Sequence, residues 1–298
     1  MKICIYTVIF GDYDRIHEHV QQDINCDYIC FTDNPTLKSN LYRVILYEPL
    51  EHFKYQVPPA HRNIVNTVLF RSNLFLIEPL KSYDICIYID ANAQIIDQTL
   101  ISSILNKADK NCDMIIPVHS LRKNIYDEIV VSKRIRKYNN TNFSQMTSDY
   151  QADGFDGHGL LWNGFVIYLK PFAEHMRSFY QLYSEQFMKY AIDNSQPFHP
   201  QGQVILPYVL WKTGVRCLPT EDLYCSSRVN VYRHKSKKVV TFRDYVKHEL
   251  ADFDWRAYIA KYPDLRAAKI NTADSALRHY YFHGRHEGRT YYPLPLRK

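Results

Sequence analysis

An α/β fold, a mainly parallel sheet with helices on both faces, is predicted by three features of the sequence. Apolar, β-rich segments alternate with helical or polar stretches through the first two thirds of the chain, the succession expected of parallel strands joined by crossovers. One segment, Ile85 to Ile89, is an unbroken apolar run, the mark of a strand buried on both faces. That run stops abruptly at Asp90-Ala91-Asn92, which sets two oxygen-bearing side chains just beyond a strand's carboxyl end, where open α/β sheets bind ligands.

The elements follow in order. Ile3 to Phe10 and Tyr28 to Thr32 read as the first two strands, each followed by a polar loop, and Tyr42 to Tyr47 as the third. From Pro59 to Leu80 the period turns helical through Val65, Val68, Leu69, Leu74 and Leu76. After the Asp90 strand come a helix near Gln98 to Lys107 and a strand from Met114 to Val118. The polar stretch Tyr138 to His158, rich in Asn, Asp and Gly, reads as a long loop. Leu160 to Leu169 returns to strand character, Phe172 to Ala191 is an amphipathic helix, and Gly202 to Lys212 a shorter apolar one. The basic run Arg233 to Lys238 marks a boundary between a main domain, 1–238, and a small helical appendage, 239–298. In the appendage two short helices are expected around Trp255–Leu265 and Ala276–Arg285, broken at Pro263 and stopped at Gly284.

Composition narrows the function classes. With 46% hydrophobic and 23% charged residues, the 298-residue chain has an ordinary soluble globular make-up. The net charge of +6 suits an anionic ligand, but no Arg- or Lys-rich repeat, zinc-finger spacing or recognition-helix pattern points to nucleic acid. The basic run between His119 and Asn140 suits a solvated helix face, or a surface that attracts a diphosphate or an acidic acceptor. The 25 Tyr and 15 Phe fit either a Tyr-rich core or rings that stack on sugars and bases. Seven cysteines without a Cys-x-x-Cys pair and the lack of a signal peptide favour a reducing compartment. No apolar run approaches a membrane span, so a cytoplasmic protein is expected. The chain has neither a Gly-x-Ser-x-Gly elbow nor a His-Glu-x-x-His motif, which argues against a hydrolase.

The Asp90 and Asn92 oxygens suit a hard divalent cation, Mn²⁺ or Mg²⁺, able to hold a diphosphate. The same pair would equally begin a plain turn. Three motifs in order add to that local reading: Tyr6-Thr-Val-Ile-Phe-Gly-Asp-Tyr-Asp, Cys30-Phe-Thr-Asp-Asn, and Ile87-Tyr-Ile-Asp-Ala-Asn. Together, over residues 1 to 235, they resemble the glycosyltransferase-like family of plant mucilage and turgor proteins. They are also similar to the rhamnosyltransferase domain of a chlorovirus capsid-glycan enzyme. The tail, Asp254-Trp-x-x-Tyr-x-x-x-Tyr-Pro-Asp-Leu with His283-Gly-x-x-Glu-Gly-Arg, resembles a short helical module appended to sugar-processing enzymes.

The resemblance implies a GT-A fold with a Rossmann-like half that binds a nucleotide sugar, and a metal at an Asp-x-Asp element, of which Asp90-Ala-Asn92 is a variant. It implies a transferase moving a hexose or deoxyhexose from a nucleotide diphosphate sugar, UDP-linked by preference, to a glycan hydroxyl. A non-catalytic carbohydrate-binding or scaffolding member of the fold is the alternative. Thr7, Phe10 and Gly11 in the first-strand loop are expected around the nucleoside, and Asp33 is placed to accept from a ribose hydroxyl or a uracil N–H. The same loop also reads as a turn, and Asp33 as its cap. Arg62 is the expected diphosphate contact, a surface salt bridge being its other reading. Asp90 and Asn92, joined by His234 or, second, His199, are the expected metal ligands. Asp153 and Asp156 are candidate general bases if transfer inverts configuration, and a turn otherwise. His119, Asp127 and Glu128 are candidates for the acceptor, and Trp162 and Gln203 for the sugar pocket. The family's Arg-x-x-x-Lys appears as Arg62 and Asn66, its acidic residue near the strand at 165 as Trp162 and Asn163, and its late Asp-Gln pair as Gly202-Gln203.

Overall fold

The computed structural model describes residues 1–52, 57–109, 111–190, 201–224, 226–234, 238–240, 244, 246, 250 and 253–291. By internal contacts the chain divides into Met1–Lys237 and Lys238–Lys298.

The first unit is a mixed α/β structure. Its central sheet comprises β1 (Ile3–Ile9), β2 (Asp27–Thr32), β3 (Arg43–Leu46), β4 (Ile85–Ile89), β6 (Met114–Pro117), β7 (Phe165–Tyr168) and β8 (Cys217–Thr220). Their order is β3-β2-β1-β4-β7-β6-β8, consistent with the expected GT-A architecture. All neighbours are parallel except that β7 runs antiparallel between β4 and β6. The reversal matters for the site. It brings the residues entering β7 to the same sheet edge as those leaving β1, β4 and β6. A separate ribbon pairs β5 (Ala93–Ile95) with β9 (Val229–Val231).

Helices α1 (Arg62–Ser72), α2 (Leu100–Leu105), α3 (Ile125–Ser132), α4 (Phe143–Ala152), α5 (Met176–Lys189) and α6 (Gly202–Thr213) flank the sheet. β1, β4 and β7 are buried along their whole length, as their apolar runs require. The tyrosine excess is largely core. Buried Tyr6, Tyr168 and Tyr180 each donate to a main-chain carbonyl, of Phe70, Arg71 and Pro171, at 2.7–2.9 Å, so the rings bury apolar area without stranding a hydroxyl.

Two expectations need correction. The stretch Pro59–Leu80 is not one helix. α1 ends at Ser72, Asn73 leaves helical geometry at φ −158° and ψ 72°, and tight turns follow at Leu74–Leu76 and Glu78–Leu80. The break is at Asn73 itself, and Pro79, which lacks an amide donor, keeps the turns beyond it from rejoining a helix. The supposed loop Tyr138–His158 contains α4. Asn142 caps it by accepting from the Gln145 amide, and Phe143, Met146 and Tyr150 form its buried stripe. Polar residues between those three conceal the period in the sequence.

In the second unit, helices span Trp255–Lys261, Pro263–Ala267 and Ala273–His279. Asp254 caps the first, and a capping box between Thr272 and Ser275 starts the third. Tyr258, Leu265, Ala276 and Tyr291 form its core. Among the described residues no helix is long and apolar enough to cross a membrane.

Candidate functional site

A cleft of about 910 Å³ of empty space opens at the carboxyl edge of the sheet. Its walls come from the β1 loop, the end of α1, the β4–β5 turn, the segment entering β7, the start of α6, and the residues after β9.

The β1 loop turns sharply. Gly11 and Asp12 adopt φ of 62° and 51°, and a Cβ on Gly11 would come within 2.2 Å of the Asn63 amide. The Gly11 N–H donates to both Asp33 oxygens, at 3.1 and 3.0 Å. Asp33 therefore fastens the loop and does not line the cleft. Phe10, Tyr13 and Asp14 do line it, whereas Thr7 is buried inside β1. The Asp14 carboxylate, 7% exposed, lies 2.6 Å from His234 Nδ1, and the Tyr13 ring sits 4.7 Å from the imidazole.

At the end of β4, Asp90 Oδ1 accepts from the Tyr88 hydroxyl at 2.6 Å and lies 3.8 Å from Arg71 Nη1. Burial first, and then the Asp90 carboxylate, raise the Tyr88 pKa, so this phenol remains a donor. Arg71, with a side chain only 14% exposed, comes from the last turn of α1. Its Nη1 makes long contacts of 3.4 Å to the Asn163 carbonyl and side-chain oxygens. Its Nε is buried and, among the described residues, has no partner. A guanidinium that lines a cleft with only long contacts from its Nη1 has the chemistry to take an anion. Arg62, the expected contact, lies on the surface and pairs with Glu48. The sequence does carry a signal for Arg71: it falls three residues after buried Val68, one turn from half-buried Thr67.

Asn92 has its own structural reason. Its carbonyl accepts from the Tyr232 amide at 2.7 Å, and its side-chain Nδ2 donates to the Tyr232 carbonyl at 2.9 Å. An aspartate could not make the second bond. This stitch holds the residues that carry His234 beside Asp90. Asp90, Asn92 and His234 therefore share the cleft. Among the described residues, however, no three His, Cys, Asp or Glu side chains gather closely enough to hold a metal by themselves. His199 lies outside the described residues.

Trp162 and Asn163, entering β7, line the opposite wall with Gln201 and Gln203. Gly164 makes that wall possible. Its carbonyl accepts from the Asp90 amide at 2.8 Å, and a Cβ there would fall 2.6 Å from Trp162 Nε1 and 2.7 Å from Asp90 Oδ2. Gly164→Ala is expected to lower the affinity of any ligand held between Trp162 and Asp90 about tenfold or more by displacing both side chains. Its melting temperature should fall by only a few degrees, and calorimetry alongside a thermal scan separates the two effects.

The remaining candidates lie behind or away from the cleft. Buried His119 uses Nδ1 to accept the Leu121 and Arg122 amides, and burial, then Arg122, lower its pKa to about 3. Glu128 is buried against Arg122 and Gln201, and Asp127 is exposed on α3. Asp153 is bound by the Tyr208 hydroxyl and Lys212, and Asp156 by the His158 amide and ring. These contacts, Tyr208 first and the His158 amide first respectively, hold both carboxyls below the usual range, which makes them weak bases. Neither lines the cleft. Among the lining residues that sequence reasoning did not single out in these roles are Arg71, Tyr88, Tyr138, Asn163 and Gln201.

The sequence matches no protein-family model and no curated protein. Among solved structures the chain is similar to the apo form of mouse xyloside xylosyltransferase 1. Identity is 7%, coverage 74% of this chain and 85% of that chain, and the TM-score 0.41. A likeness of that degree bears on neither substrate nor mechanism.

Proposed function

We propose that the chain is a glycosyltransferase that takes a hexose or deoxyhexose from a nucleotide diphosphate sugar, UDP-linked by preference, and passes it to a glycan hydroxyl. The observation that carries this reading is Asp90 beside Arg71 in one cleft at the sheet's carboxyl edge, between the β1 loop and the residues entering β7. Ligands of open α/β sheets occupy that edge. The three motifs that resemble the glycosyltransferase-like family add the expectation of a nucleotide sugar.

Sheet order suggests how a donor would lie. The nucleoside belongs over β1 with Phe10 and Tyr13, the diphosphate over β4 with Arg71 and Asp90, and the sugar over β7 with Trp162, Asn163 and Gln203. Arg71 would bind phosphate oxygens and remain beside them as charge builds on the leaving diphosphate. Asp90 Oδ1 is taken by Tyr88, and among the described residues no group donates to Oδ2. One open carboxylate oxygen fits a Mn²⁺ or Mg²⁺ that arrives with the diphosphate, because such cations commonly take one or two protein carboxylates and otherwise phosphate and water oxygens. Asp90 would hold the ion, with Asn92 and His234 beside it. When bound, it would neutralise charge on the departing nucleoside diphosphate. Asp153 and Asp156 are left out of this scheme. Asp153→Asn and Asp156→Asn are each expected to keep turnover within about threefold of the unsubstituted protein, as exposed sites usually do.

The second reading, a carbohydrate-binding or scaffolding protein of the same fold, is favoured by the engagement of both cleft carboxylates with protein partners, Asp14 with His234 and Asp90 with Tyr88. Release of UDP from UDP-sugars with Mn²⁺ separates the two. Turnover supports the transferase, and binding without turnover supports the scaffold.

A further inference from the structure

Behind the β7 end of the cleft lies a buried chain of polar groups. Glu128 on α3, 4% exposed, binds Arg122 Nε through Oε2 at 2.5 Å. Its Oε1 accepts from Gln201 Nε2 at 3.1 Å, and Ser132 Oγ makes a second contact to the same nitrogen at 3.3 Å. Gln201, 7% exposed, stands just before the first turn of α6 and lines the cleft. These contacts fix the amide's orientation. Reversed, its carbonyl oxygen would face the Glu128 carboxylate, acceptor against acceptor. The amide oxygen must therefore point away from Glu128. The Tyr138 hydroxyl, which also lines the cleft, is hydrogen-bonded to Gln201. A glutamine on a surface has no fixed sense; this one does, because an ion pair stands behind it.

We infer that Gln201, together with Tyr138, reads a hydroxyl of the bound sugar, and that the subsite selects neutral over acidic sugars. Glu128 is the positioning residue, acting through Gln201. The inference rests on the donor reading of the cleft. Two features favour a neutral ligand. Of the side chains lining this end, Tyr138, Trp162, Asn163, Gln201 and Gln203 carry no charge, and Arg71, the cation that reaches Asn163, is the group assigned to the diphosphate. A carboxylate directed at Gln201 would meet the amide oxygen, with the Glu128 charge close behind. A hydroxyl can donate to that oxygen and accept from the Tyr138 phenol.

The test is calorimetry of the full chain with Mn²⁺ and three probes, UDP, UDP-glucose and UDP-glucuronic acid. It compares the unsubstituted protein with Gln201→Met, of similar size, and Ser132→Ala, which loosens the amide, each after a melting-temperature check. The expected result is that Gln201→Met leaves the UDP Kd within about twofold and weakens UDP-glucose about tenfold, one hydrogen bond's worth. Ser132→Ala should fall between. UDP-glucuronic acid should bind the unsubstituted protein no more tightly than UDP. Equal losses for UDP and UDP-glucose would make Gln201 merely structural and overturn the inference. So would an unchanged UDP-glucose Kd, or a preference for UDP-glucuronic acid. Failure of UDP itself to bind would sink the donor reading and the inference with it, whereas the other failures leave the donor reading standing.

Discussion

Arg71→Met is expected to weaken nucleoside diphosphate binding about a hundredfold, while Arg62→Ala leaves it within about twofold. The size follows from the loss of one or two charge-assisted hydrogen bonds, each worth about 1.5–3 kcal/mol, at 1.4 kcal/mol per tenfold. Arg71 lines the cleft beside Asp90 and makes only long contacts to Asn163 through Nη1, whereas Arg62 already has Glu48 and stands outside. Methionine keeps much of the aliphatic volume, so lost packing should contribute little. Arg71→Lys should recover only part of the affinity, because an ammonium lacks the planar fork. Isothermal titration with UDP checks all three variants. If Arg62→Ala proved the damaging change, the diphosphate would have to lie on the outer side of α1, away from Asp90.

Asp90→Asn is expected to reduce turnover of a donor at least about a thousandfold, since it removes the charge that would hold the cation and several kcal/mol of leaving-group stabilisation with it. The carboxamide keeps nearly the same shape and can still accept from Tyr88. Stability should therefore change far less than rate. Thermal melting beside a steady-state assay reads both. Comparable rates in the two proteins would remove Asp90 from the chemistry.

Much of the fold was legible because its signals are local. The apolar runs of β1, β2 and β4 are buried along nearly their whole length, and their ends fell within a residue or two of the expected positions. α4 was not legible. Its apolar stripe is only Phe143, Met146 and Tyr150, and the capping Asn142 looks like one more loop residue in an Asn-rich stretch. The reversal of β7 was hidden for a different reason. Direction is set by which strands it pairs with, and its own four residues carry no trace of that.

The site shows the same division. Asp90 stood out because a buried strand ends on it. Phe10, Asn92, Trp162, Gln203 and His234 join it in one cleft. Arg71 is separated from Asp90 by nineteen positions and was passed over for Arg62, which matched a spacing but not a face of α1. Gln201 and Glu128 show what sequence alone conceals. Glu128 looked like an acceptor contact from its charge, yet it lies buried behind Gln201 and orients it. Asp153 and Asp156 had suitable chemistry, but they face Tyr208, Lys212 and His158. Distance along the chain says little about which wall a side chain reaches.

The most direct test of the central claim is a thermal-shift titration of the full chain with UDP, GDP, CMP and dTDP and their sugars, each with and without Mn²⁺, repeated on Asp90→Asn. A ligand at a hundred times its dissociation constant stabilises by about 2.7 kcal/mol, a clearly measurable rise. UDP and its sugars are expected to raise the melting temperature, more with Mn²⁺ than without, and the Mn²⁺ increment is expected to disappear in Asp90→Asn. No shift with any nucleotide, or an equal shift in both proteins with or without metal, would contradict that claim.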